Sequence, residues 1–361
     1  MEKLREGFPV LEQYTYLNTA SSGLLPETVW EFRQNHDLDF LLGGSIFKEK
    51  QAGILTETRE LVGECFGCPP SQVALVPNFS YGFNTLLEGL EKSQKALLLK
   101  NDYPSLNWAV NSREFEISYA EIDENLENNI AEAFEKQQPD FFAFSIVQYI
   151  NGIKIDLDFI KKLKQKYPET LFIADGTQFC GTEDFNFQES GLDVLICSTY
   201  KWLNAGYGNA FILFKKDVEG RIAPKALGFG SLQGKYKAHE GNFIGKFEPG
   251  HQDTLNYGSL AEALKLINKI GINEISLRIQ ALIAKAKAEF TKMELLEGGV
   301  VKRSSHSSIF NIKGDDKLFQ HLKSRSIIVS QRGEGIRISF HYFNTEKELD
   351  FLLKELRKFG I

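Results

Sequence analysis

Residues able to do chemistry stand at a few strand ends. Lys201 lies in "LICSTYKWLNAGYGNAFILF", residues 195–214, between two apolar runs, flanked by Tyr200 and Trp202, with Gly206 and Gly208 just beyond. A free ammonium is costly to bury, so a lysine fed directly from an apolar strand must have either water or a partner. Asp175 closes another apolar run, in "FIADGTQFCG". A carboxylate there either caps the following turn or holds a buried cation or a protonated nitrogen. A third feature is the passage from "VALVPN" into "FSYGFNTLLEGLEK", where Phe83, Leu86, Leu87 and Leu90 form an apolar stripe. A helix therefore begins near Phe79, just past a strand end, and offers free amides and its positive dipole end to an anion. The Ser80 hydroxyl either caps that helix or joins the anion site.

If adjacent strands bring these three features to one sheet edge, they supply a phosphate seat, a partner for a pyridinium nitrogen and an amine that can form an imine. Those are the requirements of pyridoxal 5'-phosphate. Rival nucleotide motifs fail on spacing. "GFGSLQGK" has five residues between Gly228 and Gly234 and three between Gly230 and Gly234, where a phosphate loop needs four, and no Ser or Thr follows Lys235. "GYGNAF" lacks the third glycine of a dinucleotide fingerprint. Cys65 and Cys68 form a lone C-x-x-C with no second pair, so no structural zinc site is expected, and none of the four cysteines needs to be in a disulfide.

The elements that must position these groups are legible as a pattern. Seven β-type runs, "VALVPN", "KALLLK", "FEISYA", "FFAFSIVQ", "LFIADGTQ", "DVLICST" and "NAFILF", alternate with helical or loop stretches between about residues 73 and 216. Several are apolar on both faces, as strands covered by helices on both sides must be, which predicts an α/β sheet, mostly parallel. Beyond "FEPGHQDTLNYG" the pattern turns to long helices, with Ile275, Ile279, Leu282 and Ile283 at helical spacing. The C-terminal hundred or so residues mix strands with helices as a small α+β domain. The expected partition is 15–259 for the large domain and 1–14 with 260–361 for the small one.

Bulk properties set the class. The chain has 361 residues, 42% hydrophobic and 25% charged, with a net charge of −6 mixed along its length. This composition is ordinary for a globular protein and argues against nucleic acid or an anionic membrane as the main partner. The charged start and a longest apolar run of only Ala210 to Phe214 predict a cytoplasmic protein that spans no membrane.

The ordered motifs resemble the class V aminotransferase family, the fold-type I pyridoxal-phosphate enzymes that include cysteine desulfurases, kynureninases and isopenicillin-N-epimerase-like proteins. The resemblance runs from "YLNTASSGLLP" through "NFSYGFNTLL", "DYPSLNW", "SIVQYINGIKID", "ADGTQFCG", "STYKWLNAGYG" and "FEPGHQDTLN" to "IRISFHYFNT". It implies a large domain with a mostly parallel seven-stranded sheet, and catalysis by Lys201, as internal aldimine, with Asp175 on the pyridinium nitrogen. It implies that Phe79, Ser80, Ser198 and Tyr200 hold the phosphate, that Gln178 meets the phenolic oxygen and that Tyr103 stacks on the ring. Arg337 would grip the substrate carboxylate, with Asn18 and Gln148 beside it. Tyr149 stands where Asn is common, Tyr200 where most members have His and kynureninases Tyr, and His251 where a Thr usually reaches the neighbouring subunit's phosphate. A homodimer with its site at the interface follows from the resemblance. The small residues at 205, 206 and 208 are expected to leave room for the cofactor. "HLKSRSIIVSQRGEGIRIS", where a desulfurase keeps its nucleophilic Cys, has none, so a persulfide mechanism is not expected. An aminotransferase using an amino acid and a 2-oxo acid is the leading expectation. The alternatives are a lyase or hydrolase of the selenocysteine/cysteine lyase or kynureninase kind, and a non-catalytic protein on the same fold.

Overall fold

The computed structural model describes residues 5–232 and 242–361; the first four residues and the end of the "GFGSLQGK" stretch lie outside them. A short strand β1 (Thr15–Tyr16) precedes the seven predicted runs, which all form strands: β2 (Val73–Val76), β3 (Lys95–Leu99), β4 (Glu116–Ala120), β5 (Phe141–Ser145), β6 (Leu171–Asp175), β7 (Val194–Ser198) and β8 (Ala210–Phe214). They make one sheet in the order β2-β8-β7-β6-β5-β3-β4, in which β8 alone runs antiparallel to its neighbours. Every residue of β5, β6, β7 and β8 is buried, whereas the edge strand β4 exposes Glu116 and Tyr119. Strands covered on both faces read as continuous apolar runs, while a half-covered edge reads as alternation. In β7, Leu195 and Cys197 enter a core shared with the C-terminal part, and Val194 and Ile196 enter a second core on the opposite face.

The C-terminal part carries β9 (Ile309–Lys313), β10 (Ile327–Ile328), β11 (Ser330–Arg332) and β12 (Gly335–Ser339). β12 is the middle strand of an antiparallel sheet, β11-β12-β9, and β10 pairs in parallel with β1. The N-terminal segment is thus bonded to the small part through Thr15↔Ile327 and the Asn18↔Ser339 bridge, rather than to the large sheet. The closing helix Glu346–Phe359 starts in a capping box between Thr345 and Glu348, and Arg5 pairs with Glu348 at 2.9 Å, fastening the chain's two ends together. The expected boundary after residue 259 falls inside the helix Thr254–Ile270, which packs on the helices Glu27–Gly43 and Lys48–Phe66. The helix Ile272–Lys292 buries Ile275, Ile279 and Leu282 as their spacing predicts; Ile283 is only partly covered. Among the described residues no helix is long and apolar enough to cross a membrane.

Candidate active site

Parallel register places Ser145 beside Asp175, and Asp175 beside Ile196, so the ends of β5, β6 and β7 share one edge. β2 runs in the same direction as β7, because each is antiparallel to β8. Its following helix, Phe79–Leu87, therefore starts at that edge, where the Phe79 amide donates to Ser198 Oγ at 2.8 Å. The cap of this helix is Asn78, whose Oδ1 accepts the Tyr81 amide at 2.9 Å, so the Ser80 hydroxyl is free of that duty. A cavity of about 100 Å³ lies among these ends, lined by Ser80, Tyr103, Asp175, Gln178, Tyr200 and Lys201 among others.

Lys201 is 6% exposed and Asp175 5%. Burial pulls the lysine down to about 8 against the attraction of Asp175. Burial pushes the Asp175 carboxyl up to about 6, while hydrogen bonds from Thr177 and the charge of Lys201 oppose it. The Thr177 amide donates to Asp175 Oδ1 at 2.8 Å, which fixes the carboxylate. The lysine is compensated in its buried position by the charge of Asp175 and by two aromatic faces, Tyr103 and Tyr200, each 5.6 Å from Nζ to ring centroid.

Gln178 spans the lysine turn and the N-terminal segment. Its carbonyl accepts the Trp202 indole N–H at 2.8 Å and its amide donates to Ala20 O at 3.0 Å, leaving one N–H for a ligand. The lysine turn is clasped from outside: the Gly23 amide donates to Tyr200 O at 2.8 Å. A Cβ on Gly23 would stand 1.9 Å from Lys201 O, so only glycine permits this approach. Gly206 and Gly208 have φ of +75° and +89°, and a Cβ on Gly208 would meet Asn256 at 2.6 Å. Their smallness serves the turn and its contact with that helix; neither lines the cavity, contrary to the expected role of leaving room for a cofactor.

Arg337, in the middle of β12, is 3% exposed; its Nη1 donates to Tyr149 O at 2.7 Å and its Nε is buried without a partner. Burial lowers it to about 10, still charged at neutral pH. Its nearest charge neighbours are Arg332 and the phenols of Tyr149, Tyr200 and Tyr103, and it makes no ion pair among the described residues. Asn18 also holds a buried oxygen, Oδ1, without a partner. The structure does not bring Gln148 to the cavity: its side-chain carbonyl accepts the Ile150 and Asn151 amides and its N–H₂ donates to Asn101 O, so it shapes a turn. His251 is exposed, stacked at 6.0 Å on Phe229, and also lies off the cavity.

Several contributors carried no distinctive sequence signal. Asp102 is buried and accepts the Tyr103 amide at 2.7 Å and the Ser145 amide at 2.8 Å, binding the Tyr103 turn to the end of β5. His341 is buried, lowered to about 3 by burial, and donates from Nε2 to Trp202 O at 2.8 Å. Thr177 stands between Asp175 and Gln178 in "ADGTQ", a position that itself signals a place in the site.

The donor set fits pyridoxal phosphate: at the cavity an anion cradle with a spare hydroxyl at Ser80, a buried acid and a lysine, and near them a buried guanidinium whose Nε has no partner. The sheet, edge site and small domain define a fold-type I architecture. The family model of aminotransferase class V matches residues 16–352. An uncharacterised aminotransferase, YcbU, of Bacillus subtilis is 24% identical across 98% of this chain and 97% of its own length. Among solved structures, the apo cysteine desulfurase of Thermococcus onnurineus superposes with a TM-score of 0.87 at 18% identity, covering 100% of this chain and 98% of that one. The cystine C-S lyase C-DES, in complex with its product cysteine persulfide, matches with a TM-score of 0.87 at 20% identity over 97% and 98% of the two chains. The chain belongs to the class V aminotransferase family and is a pyridoxal-5'-phosphate-dependent enzyme.

Proposed function

We propose that the protein is a cytoplasmic, homodimeric aminotransferase that takes an amino group from an α-amino acid and passes it to a 2-oxo acid. The observation that carries this reading is the Lys201–Asp175 couple at the cavity together with the buried guanidinium of Arg337, which makes no ion pair among the described residues and lies close enough for its charge to act on Lys201. In this reading the first turn at Phe79 and Ser80, with Ser198 and Tyr200, holds the phosphate, and Tyr103 covers the ring face. The remaining N–H of Gln178 meets the phenolic oxygen, and Asp175 keeps the ring nitrogen protonated. When bound, pyridoxal phosphate supplies the amine-reactive carbonyl and the electron sink for charge developing at the α-carbon. Arg337 orients the amino acid through a two-pronged hydrogen bond to its carboxylate, a task suited to a guanidinium with free N–H groups. Lys201, its amine unusually easy to deprotonate, would remove the α-proton and carry it across the amino nitrogen to the carbonyl-derived carbon of the cofactor, the proton movement that transamination requires. Asn18 stands beside Arg337 on the adjoining segment. Gln148 supports the turn beneath Tyr149, and His251 is assigned to the second subunit's phosphate.

A lyase or hydrolase is the second reading, favoured by Tyr200, which lines the cavity in place of the family's usual His. A persulfide route is disfavoured, because the segment 321–339 that leads into Arg337 holds no cysteine. Mixing holoenzyme with single amino acids and no oxo acid separates the two. Conversion of one equivalent of cofactor to its amine form supports transamination; many turnovers without an acceptor support the lyase.

A further inference from the structure

We infer that Arg332 forms, with Arg337, a two-arginine clamp that selects substrates bearing a second carboxylate, of aspartate or glutamate size; this rests on the amino-acid-dependent reading above. The hairpin register pairs Ser330 with Arg337 and Arg332 with Gly335. Alternate residues of a strand share a face, so Ser330 and Arg332 stand on the same side of the sheet as Arg337, with the two arginines as diagonal neighbours roughly 7–8 Å apart at the backbone. Asn311, the residue facing Arg337 on β9, donates to Arg332 O at 2.8 Å and holds the hairpin end in register.

That face carries positive charge and unmet hydrogen bonds. Arg332 is exposed and makes no ion pair among the described residues, not even with Glu334 two positions on. Ser330 Oγ and Arg337 Nε are both buried without partners. The Arg332 charge is felt at Lys201, at Arg337 and at Tyr149, so it points its field into the site. In a chain whose net charge is −6, a local group of two arginines and a lysine is unusual. Like charges this close repel, and a bound dianion relieves both at once: one carboxylate on Arg337, the other on Arg332, with the Ser330 hydroxyl able to donate between them.

The test compares wild-type holoenzyme with Arg332→Gln and Arg332→Lys. Calorimetric binding of succinate against propionate, and kcat/KM for aspartate and glutamate against asparagine and glutamine, are the readouts. Wild type is expected to prefer the diacid by roughly 10- to 100-fold, a ratio that falls toward one in Arg332→Gln and partly recovers in Arg332→Lys. Separate half-reactions with amino acid and with 2-oxo acid assign the second carboxylate to donor or acceptor; a loss in either arm supports the clamp. An equal ratio in wild type and Arg332→Gln overturns it. If no amino acid reacts, the catalytic reading has failed, and the succinate-to-propionate ratio still decides the clamp.

Discussion

The Lys201–Asp175 couple is built from burial and partial compensation. Desolvation makes the ammonium easier to deprotonate, and the carboxylate prevents the shift from running further. The lysine's folded value, about 8, lies below its unfolded value of 10.5, so in that window the unfolded chain binds more protons and stability rises with pH. The cofactor-free protein should therefore gain stability between pH 8 and 10 relative to Lys201→Met, measured by denaturant unfolding; parallel pH profiles for the two proteins would count against the buried couple. Asp175 and Lys201 were legible because the first ends an apolar strand and the second follows one by three residues, where a charge has few structural uses. Asp102 and His341 were not legible, because a polar residue in a turn or beyond a strand reads as ordinary until its neighbours are known. Gln148 shows the reverse: family position pointed to the substrate, and local hydrogen bonding fixes it to backbone instead.

At the scale of elements, the seven strands could be read because burial on both faces writes continuous apolar runs. Their order could not, since β2 and β8 join the sheet's end by pairings that no local pattern encodes. The N-terminal segment was likewise hidden: its parallel bond to β10 and its clasp on the lysine turn are long-range contacts between short, mixed sequences. Gly23 is the test of that clasp. Gly23→Ala would drive a methyl into Lys201 O and Tyr200 O, so we expect a loss of about 1–3 kcal/mol in thermal unfolding together with weaker cofactor binding. Unchanged stability and unchanged cofactor affinity would mean the segment is not seated against the turn.

At the scale of the molecule, the site draws on three places: the carboxyl edge of the large sheet, β12 of the small part and the N-terminal segment. A core shared between the large sheet and the C-terminal elements holds these together. On the outside, Leu41 and Leu42 are each 79% exposed, with Phe40 and Ile46 beside them, an apolar patch of the kind that associating proteins cover. Sedimentation should show a dimer, converted toward monomer by paired Leu41→Glu and Leu42→Glu substitutions; a monomeric wild type would contradict the proposed assembly. The most direct test of the account is covalent. After addition of pyridoxal phosphate and reduction with borohydride, peptide mass spectrometry should find the reduced cofactor on Lys201 and lose it in Lys201→Ala. An adduct on another lysine, or none at all, would contradict the assignment of Lys201 as the centre of the site.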